Sequence, residues 1–238
     1  SENQNYLLGS EILSLGSLLY SKIYNKFYLF YDYSDQEGLT CLKSFSSSVD
    51  DAKELLLLPT SEFIDHLYNK EAFFSSDENT IYFAVDDTDY IGLDPRRFRM
   101  NYFSTQTNSI IRNRPLSEIG YPNASSYSLK KGQKGISVIA SYYKKPEGNV
   151  DSYFRVYNFD KDSGYAFIKS IESSEPYFTN YGKYLILSRT NYDRKKYQEY
   201  NKGVIDIFDA NSGQLLKTIN YPAQGKIYFY DDYPNQLF

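Results

Sequence analysis

Apolar residues in this chain come in short runs separated by turn-forming polar clusters, which is the pattern of strands rather than of amphipathic helices. The stretch GVIDIFDANSGQLLKTINYP, from Gly203 to Pro222, shows it in full. Val204, Ile205, Ile207 and Phe208 suit one strand, and Leu215, Leu216, Thr218 and Ile219 suit a second. Between them, Asp209-Ala210-Asn211-Ser212-Gly213 supplies side chains that bond their own backbone and a glycine free to take positive φ. This predicts a β-hairpin. FRVYNFDKDSGYAFIKSI (Phe154 to Ile171) repeats it, with Phe159-Asp160 matching Phe208-Asp209 and Lys169-Ser170-Ile171 matching Lys217-Thr218-Ile219. FRMNYFSTQTNSIIRN (Phe98 to Asn113) is a third copy, and FYLFYDYSDQEGLTCLKSF (Phe27 to Phe45) a weaker fourth.

A short apolar strand precedes three of these hairpins, NTIYFAV (Asn79 to Val85), KGISVIAS (Lys134 to Ser141) and GKYLILS (Gly182 to Ser188), and a similar one, GKIYFYD (Gly225 to Asp231), stands near the C-terminus. The unit of strand, loop and hairpin recurs about every 48 to 56 residues, a spacing that signals propellers or other repeat arrays. The expectation is an all-β chain folded as one domain over residues 1–238, a β-propeller-like array of about four to five antiparallel blades. The last strand lacks a hairpin of its own, so the N-terminal segment is expected to complete its blade and remove an exposed sheet edge.

One segment breaks the pattern. SSSVDDAKELLLLPTSEFIDHLYNKEAFF (Ser46 to Phe74) has Ser48 three residues before Asp51, then strong helix formers from Ala52 to Leu58, and after Pro59 an apolar set of Phe63, Ile64, Leu67 and Tyr68 at helical spacing. A short helical insertion near residues 48–70, packed on the sheets, is the expectation.

The stretch EPYFTNYGKYLILSRTNYDRKKYQEYNKGVIDIFDANSGQLLKTI (Glu175 to Ile219) resembles a blade of the bacterial β-propeller repeat proteins. In those, an aromatic and a Gly-Lys-Tyr turn lead a strand and an Asp-x-x-Ser/Thr-Gly-x-x-Leu hairpin closes the blade. The likeness is to the PD40 and quinoprotein-like groups, relatives of WD40, and is clearest over residues 135–219. It implies the fold. The hydrogen-bonded tetrad of true WD40 blades does not carry over, because the chain has no Trp and a single His.

Composition narrows the chemistry. With His66 and Cys41 as the only residues of their types, His-rich and Cys₄ metal sites are excluded, and His66 stands four residues after Glu62 as an ordinary helical pair would. Neither GxGxxG nor GxxxxGK[ST] occurs. Asp86, Asp87, Asp89 and Asp94 crowd one loop and could hold Ca²⁺, but the glycine and terminal Glu of an EF-hand loop are missing, so the loop is read as solvated. No cofactor and no metal are expected. The 27 Tyr and 16 Phe could stack on sugars, yet Lys, Asn and Ile are abundant too, which points to AT-rich coding and strand propensity instead.

A net charge of −4 argues against nucleic-acid binding, which depends on a sustained basic field. No apolar run is long enough for a transmembrane helix. The opening SENQN would suit the tether after a lipidated cysteine, so an extracytoplasmic lipoprotein, periplasmic or attached to the outer membrane, is the expected setting, a cytoplasmic one the alternative.

Five arginines stand out against this acidic background: Arg96, Arg97, Arg99, Arg112 and Arg114, all in the RRFRMNYFSTQTNSIIRNR hairpin. Alternation puts Arg97 and Arg99 on one face of their strand, and Arg112 and Arg114 on one face of theirs. If the register joins the two sets, they form a basic patch able to grip carboxylates on an acidic protein surface. Asp86, Asp87, Asp89 and Glu118 are the alternative partners, as ordinary surface pairs. The function expected is noncatalytic protein binding, for instance as a toxin inhibitor or immunity protein. The alternative is a carbohydrate- or phosphoester-acting enzyme using loop carboxylates, with DYSDQE (Asp32 to Glu37) and the Asp86 to Asp94 loop as its acids.

Overall fold

The computed structural model describes residues 12–33, 39–46, 52–59, 72–86, 98–131, 135–148, 150–172, 177–181, 184–190 and 203–221. These residues fold as a β-propeller-like array of four antiparallel sheets. Blade 1 comprises β1 (Ile12–Ser21), β2 (Lys26–Tyr33), β3 (Leu39–Phe45) and β4 (Lys53–Pro59). Blade 2 holds β5 (Ala72–Phe74), β6 (Thr80–Asp86), β7 (Phe98–Ser104) and β8 (Ser109–Pro115). A one-turn helix, α1 (Leu116–Ile119), leads into blade 3, made of β9 (Ser126–Lys131), β10 (Ile136–Lys144), β11 (Val150–Asn158) and β12 (Ser163–Glu172). Blade 4 is β13 (Tyr177–Tyr181), β14 (Tyr184–Thr190), β15 (Gly203–Asp209) and β16 (Leu215–Tyr221). In every sheet the strand order follows the chain, so each blade is a plain meander. First strands of adjacent blades approach one another, β1 beside β5 and β9 beside β13, which places them toward the centre.

Blades stack face to face, and this explains the unbroken apolar runs. A strand such as β6 is covered on both sides, so its residues from Ile81 to Val85 are apolar on both faces instead of alternating with polar ones. Tyr28, Phe30 and Leu42 of blade 1 pack on Ile81, Phe83 and Phe103 of blade 2. Tyr82, Met100 and Tyr102 of blade 2 meet Leu129, Ile139, Tyr157 and Phe159 of blade 3. Val138, Phe154 and Val156 of blade 3 meet Leu185, Leu187 and Phe208 of blade 4.

The hairpins expected at Phe98, Phe154 and Gly203 are β7–β8, β11–β12 and β15–β16, the outer pairs of blades 2, 3 and 4. Each turns through a left-handed residue: Asn108 at φ 51°, Asp162 at 50° and Gly213 at 70°. The weaker copy, Phe27 to Phe45, is β2–β3, one strand out of phase with the others. The outer pair of blade 1 is β3–β4. That corrects the expected helix over Ala52 to Leu58: Lys53–Pro59 is strand β4, paired with β3 in the register Leu42↔Leu56 and Thr40↔Leu58. Four consecutive leucines give no polar helical face, and a partner strand supplies backbone bonds that local propensity cannot outweigh. Pro59 ends an edge strand, where its missing N–H costs no ladder bond. The helix among the described residues, α1, stands at the blade 2 to blade 3 junction, with Leu116 and Ile119 buried. Phe63 to Tyr68, the Gly225 to Asp231 strand and its expected closure with the N-terminus lie outside the described residues.

Candidate functional site

Of the three arginines of this set among the described residues, Arg112 and Arg114 come together and Arg99 stands apart. Arg96 and Arg97 lie outside the described residues. In the β7–β8 ladder, Arg114 stands opposite Met100 and Arg112 opposite Tyr102, whereas Arg99 is opposite Pro115. Directly opposed residues share a face, so Arg112 and Arg114 point toward blade 3 with Met100 and Tyr102. Arg99 points the other way, donating from Nε to Asn113 Oδ1, while Asn113 Nδ2 donates to Asn101 Oδ1 at 2.6 Å.

What Arg112 and Arg114 meet is the β11–β12 turn of blade 3. Arg114 Nη1 donates to Asp162 Oδ1 at 2.5 Å and to the Tyr157 hydroxyl at 3.2 Å, and Arg112 Nη2 donates to Asp162 Oδ2 at 3.1 Å. The Tyr157 hydroxyl donates to Asp162 Oδ1 as well, at 2.5 Å. Arg114 Nε reaches Glu118 at 3.3 Å, and the Arg112 guanidinium lies 5.3 Å from the Tyr102 ring centroid. The Tyr157 hydrogen bond first, then the two guanidiniums, hold the Asp162 carboxyl below the ordinary carboxylate value. Burial, then Asp162, pushes the Tyr157 phenol up to about 12 against the pull of Arg114. Two residues earlier, Asp160 accepts from the Tyr82 hydroxyl at 2.8 Å and from the Ser76 N–H at 3.0 Å. Just before Asp160 in the chain, Phe159 is buried against Phe73, Tyr82 and Tyr157, with ring centroids 4.9 to 5.4 Å apart. This hairpin turn is therefore a staple across the seam between blades 2 and 3, and its Asp162, together with Glu118 of α1, engages both arginines.

At the opposite end of the same seam lies a group that the sequence did not single out. The connector after α1 crosses the face of blade 3 closely: a Cβ on Gly120 would stand 3.0 Å from Ile139 Cγ2 and from Ser141 Oγ. This approach lays the Tyr121 ring 5.0 Å from Tyr153, which in turn stands edge-on to Tyr143 at 5.0 Å. The Tyr121 N–H donates to Ser141 Oγ at 3.1 Å, and the Tyr143 hydroxyl to the Pro122 carbonyl at 2.6 Å, so backbone and rings are held together. Beneath them Arg155 Nη1 donates to the carbonyls of Ile119 and Gly120, at 3.1 Å each, with its guanidinium 5.9 Å from the Tyr121 centroid. All four side chains are half-buried. Alternation carried the signal: Tyr153, Arg155 and Tyr157 share one face of β11, opposite Ser141, Ile139 and Ser137 of β10, with Tyr143 two residues beyond Ser141.

His66, Glu62, the Asp87 to Asp94 loop and the Asp35 to Glu37 acids lie outside the described residues, as do the side chains of Asp32 and Asp86. Among the described residues no three His, Cys, Asp or Glu stand close enough to hold a metal ion, and no helix is long and apolar enough to cross a membrane.

No family model matches the chain, and no curated protein matches it in sequence. Solved structures do. The β-propeller domain of the trilobed protease from Pyrococcus furiosus aligns with a TM-score of 0.51 at 10% identity, over 85% of this chain and 57% of that one. The acylaminoacyl peptidase of Pyrococcus horikoshii aligns with a TM-score of 0.56 at 9% identity, over 92% of this chain and 33% of that one. TolB from Acinetobacter baumannii gives 0.47 at 14% identity, over 90% and 44%. The chain thus spans from a third to somewhat over half the length of these proteins. The likeness establishes a propeller-like fold and leaves activity to be argued from the site.

Proposed function

We propose that this protein is a noncatalytic, protein-binding propeller and that its contact surface is the Tyr121, Tyr143 and Tyr153 platform at the blade 2 to blade 3 junction. The observation that carries the proposal is the platform's fixed geometry. Three half-buried rings stand 5.0 Å apart in succession, tied down through Ser141 and Pro122 before any partner arrives. Tyrosine offers large contact area with few torsions to freeze, and preorganised rings lose little entropy on binding. The acids at the other end of this seam are already engaged, Asp160 with Tyr82 and Ser76, Asp162 with Tyr157 and two arginines. An extracytoplasmic setting and an inhibitor or immunity role belong to the same proposal, and fractionation of the source cells tests the setting.

The test is affinity capture from a lysate of the source organism with the wild-type chain and with Tyr153→Ala. The expected result is a stoichiometric protein partner retained by the wild type and lost by the variant, with the variant's melting temperature within a few degrees of wild type. Turnover of a glycan or phosphoester by the purified chain, without a partner, would overturn the proposal.

A further inference from the structure

We infer that Arg155 is a carboxylate anchor, so that the tyrosine platform selects partner segments presenting an acidic side chain or a free C-terminus beside an apolar residue. This rests on the platform being a protein-binding surface. The arginines of the seam differ in what they hold. Arg112 and Arg114 lie on Asp162, and Arg114 also on Glu118. Arg155 holds no carboxylate among the described residues; it gives Nη1 to the Ile119 and Gly120 carbonyls. Its Nε is buried without an acceptor, and no acceptor is described for Nη2.

A guanidinium cannot shed its proton near neutral pH, so this partly desolvated charge meets carbonyl oxygens but no carboxylate among the described residues. Carbonyl dipoles and the Tyr121 ring soften that cost without neutralising it. An incoming carboxylate at Nη2 would neutralise it and would find further donors at hand: the Tyr121 and Tyr153 hydroxyls make no described hydrogen bond, the Tyr121 ring adjoins the guanidinium, and the Tyr153 ring lies 5.0 Å from that of Tyr121. A neighbouring apolar side chain of the same segment would lie on the exposed ring faces.

Three N-acetylated peptides test the assignment: acetyl-Gly-Phe-Glu-Gly-amide, its Gln twin, and the Gln peptide with a free C-terminus. Each is titrated into the full ¹⁵N-labelled chain while the arginine Nε–H and tyrosine ring resonances are followed. The expected result is that the Glu peptide, the free-C-terminus peptide or both shift the Arg155 resonance and bind about tenfold or more tighter than the neutral twin, as charge-assisted bonds do over neutral ones. The two acidic arms tell a side-chain carboxylate from a terminal one. Arg155→Gln should erase that preference, and Arg155→Lys, which keeps the charge and a donor for the α1 carbonyls, should retain part of it. Spectral dispersion shows that each variant is folded. Equal binding of acidic and neutral peptides, no binding of either, or an unchanged preference in folded Arg155→Gln would overturn the inference. Should a lysate partner be lost with Tyr153→Ala yet retained by Arg155→Gln, the carboxylate anchor fails and the binding surface stands. Should no version capture a partner, the functional proposal fails while the peptide preference still decides the anchor.

Discussion

Asp162 shows how much one residue can carry. It takes φ 50°, a conformation that Asp and Asn tolerate and most other residues resist, and there its carboxylate meets Tyr157, Arg112 and Arg114. Asp162→Asn keeps the turn and removes the charge. Because the folded-state carboxyl sits below its ordinary value, its contribution is fully present above the unfolded value and is lost as pH falls through the folded one. Asp162→Asn should therefore lower the melting temperature at pH 7 by an amount worth about 1 kcal/mol, kept modest because the carboxylate is half exposed, and the difference should narrow progressively as the pH falls below the ordinary carboxylate value. A gap that stays constant with pH, measured by thermal melts of both proteins, would show that the charge does not matter. Cys41 is the converse case. It is fully buried, and burial above all pushes its thiol up to about 11. It should resist iodoacetamide at pH 8 in the folded chain and react once the chain is unfolded in guanidinium; mass spectrometry showing native-state alkylation would contradict the packing of blade 1.

At the scale of elements, the turns decide. Gly213 has φ 70°, and a Cβ there would stand 2.8 Å from the Tyr165 ring and 3.0 Å from Phe167 of blade 3. Gly213→Ala should cost about 1 to 2 kcal/mol, from backbone strain and crowding together, read as a shift in urea midpoint at unchanged slope. The outer hairpins were legible in the sequence because Asx and Gly turn chemistry is local. Strand β4 was not, since Lys53 to Leu58 carries helix formers and its fate is set by pairing with β3, a nonlocal partner. The blade 1 repeat was misphased for a related reason: Phe27 to Phe45 is apolar enough to match an outer hairpin, yet in the folded blade it occupies the two middle strands. The site follows the same rule. That Arg112 and Arg114 share a face could be read from alternation, whereas their separation from Arg99 depends on ladder register, and their partner Asp162 arrives from the next blade. Arg155 looks like any strand arginine until the α1 connector is laid across it.

For the whole molecule, stability resides in the faces between blades. Phe159 is buried at the blade 2 to blade 3 seam and touches rings of both blades. Phe159→Ala should cost about 3 to 5 kcal/mol, enough to threaten the fold, as removal of a packed aromatic generally does. The account assigns the two ends of this seam different work: the Asp160 to Asp162 end holds the blades together, and the Tyr121, Tyr143, Tyr153 and Arg155 end meets a partner. Hydrogen exchange of the chain, free and with its captured partner, tests that division most directly. The account predicts new protection at Tyr121 to Asn123 and at Tyr142 to Tyr153, with the Ser75 to Asn79 and Phe159 to Asp162 turns unchanged. Protection confined to those turns, with the tyrosine platform exchanging as in the free protein, would contradict it.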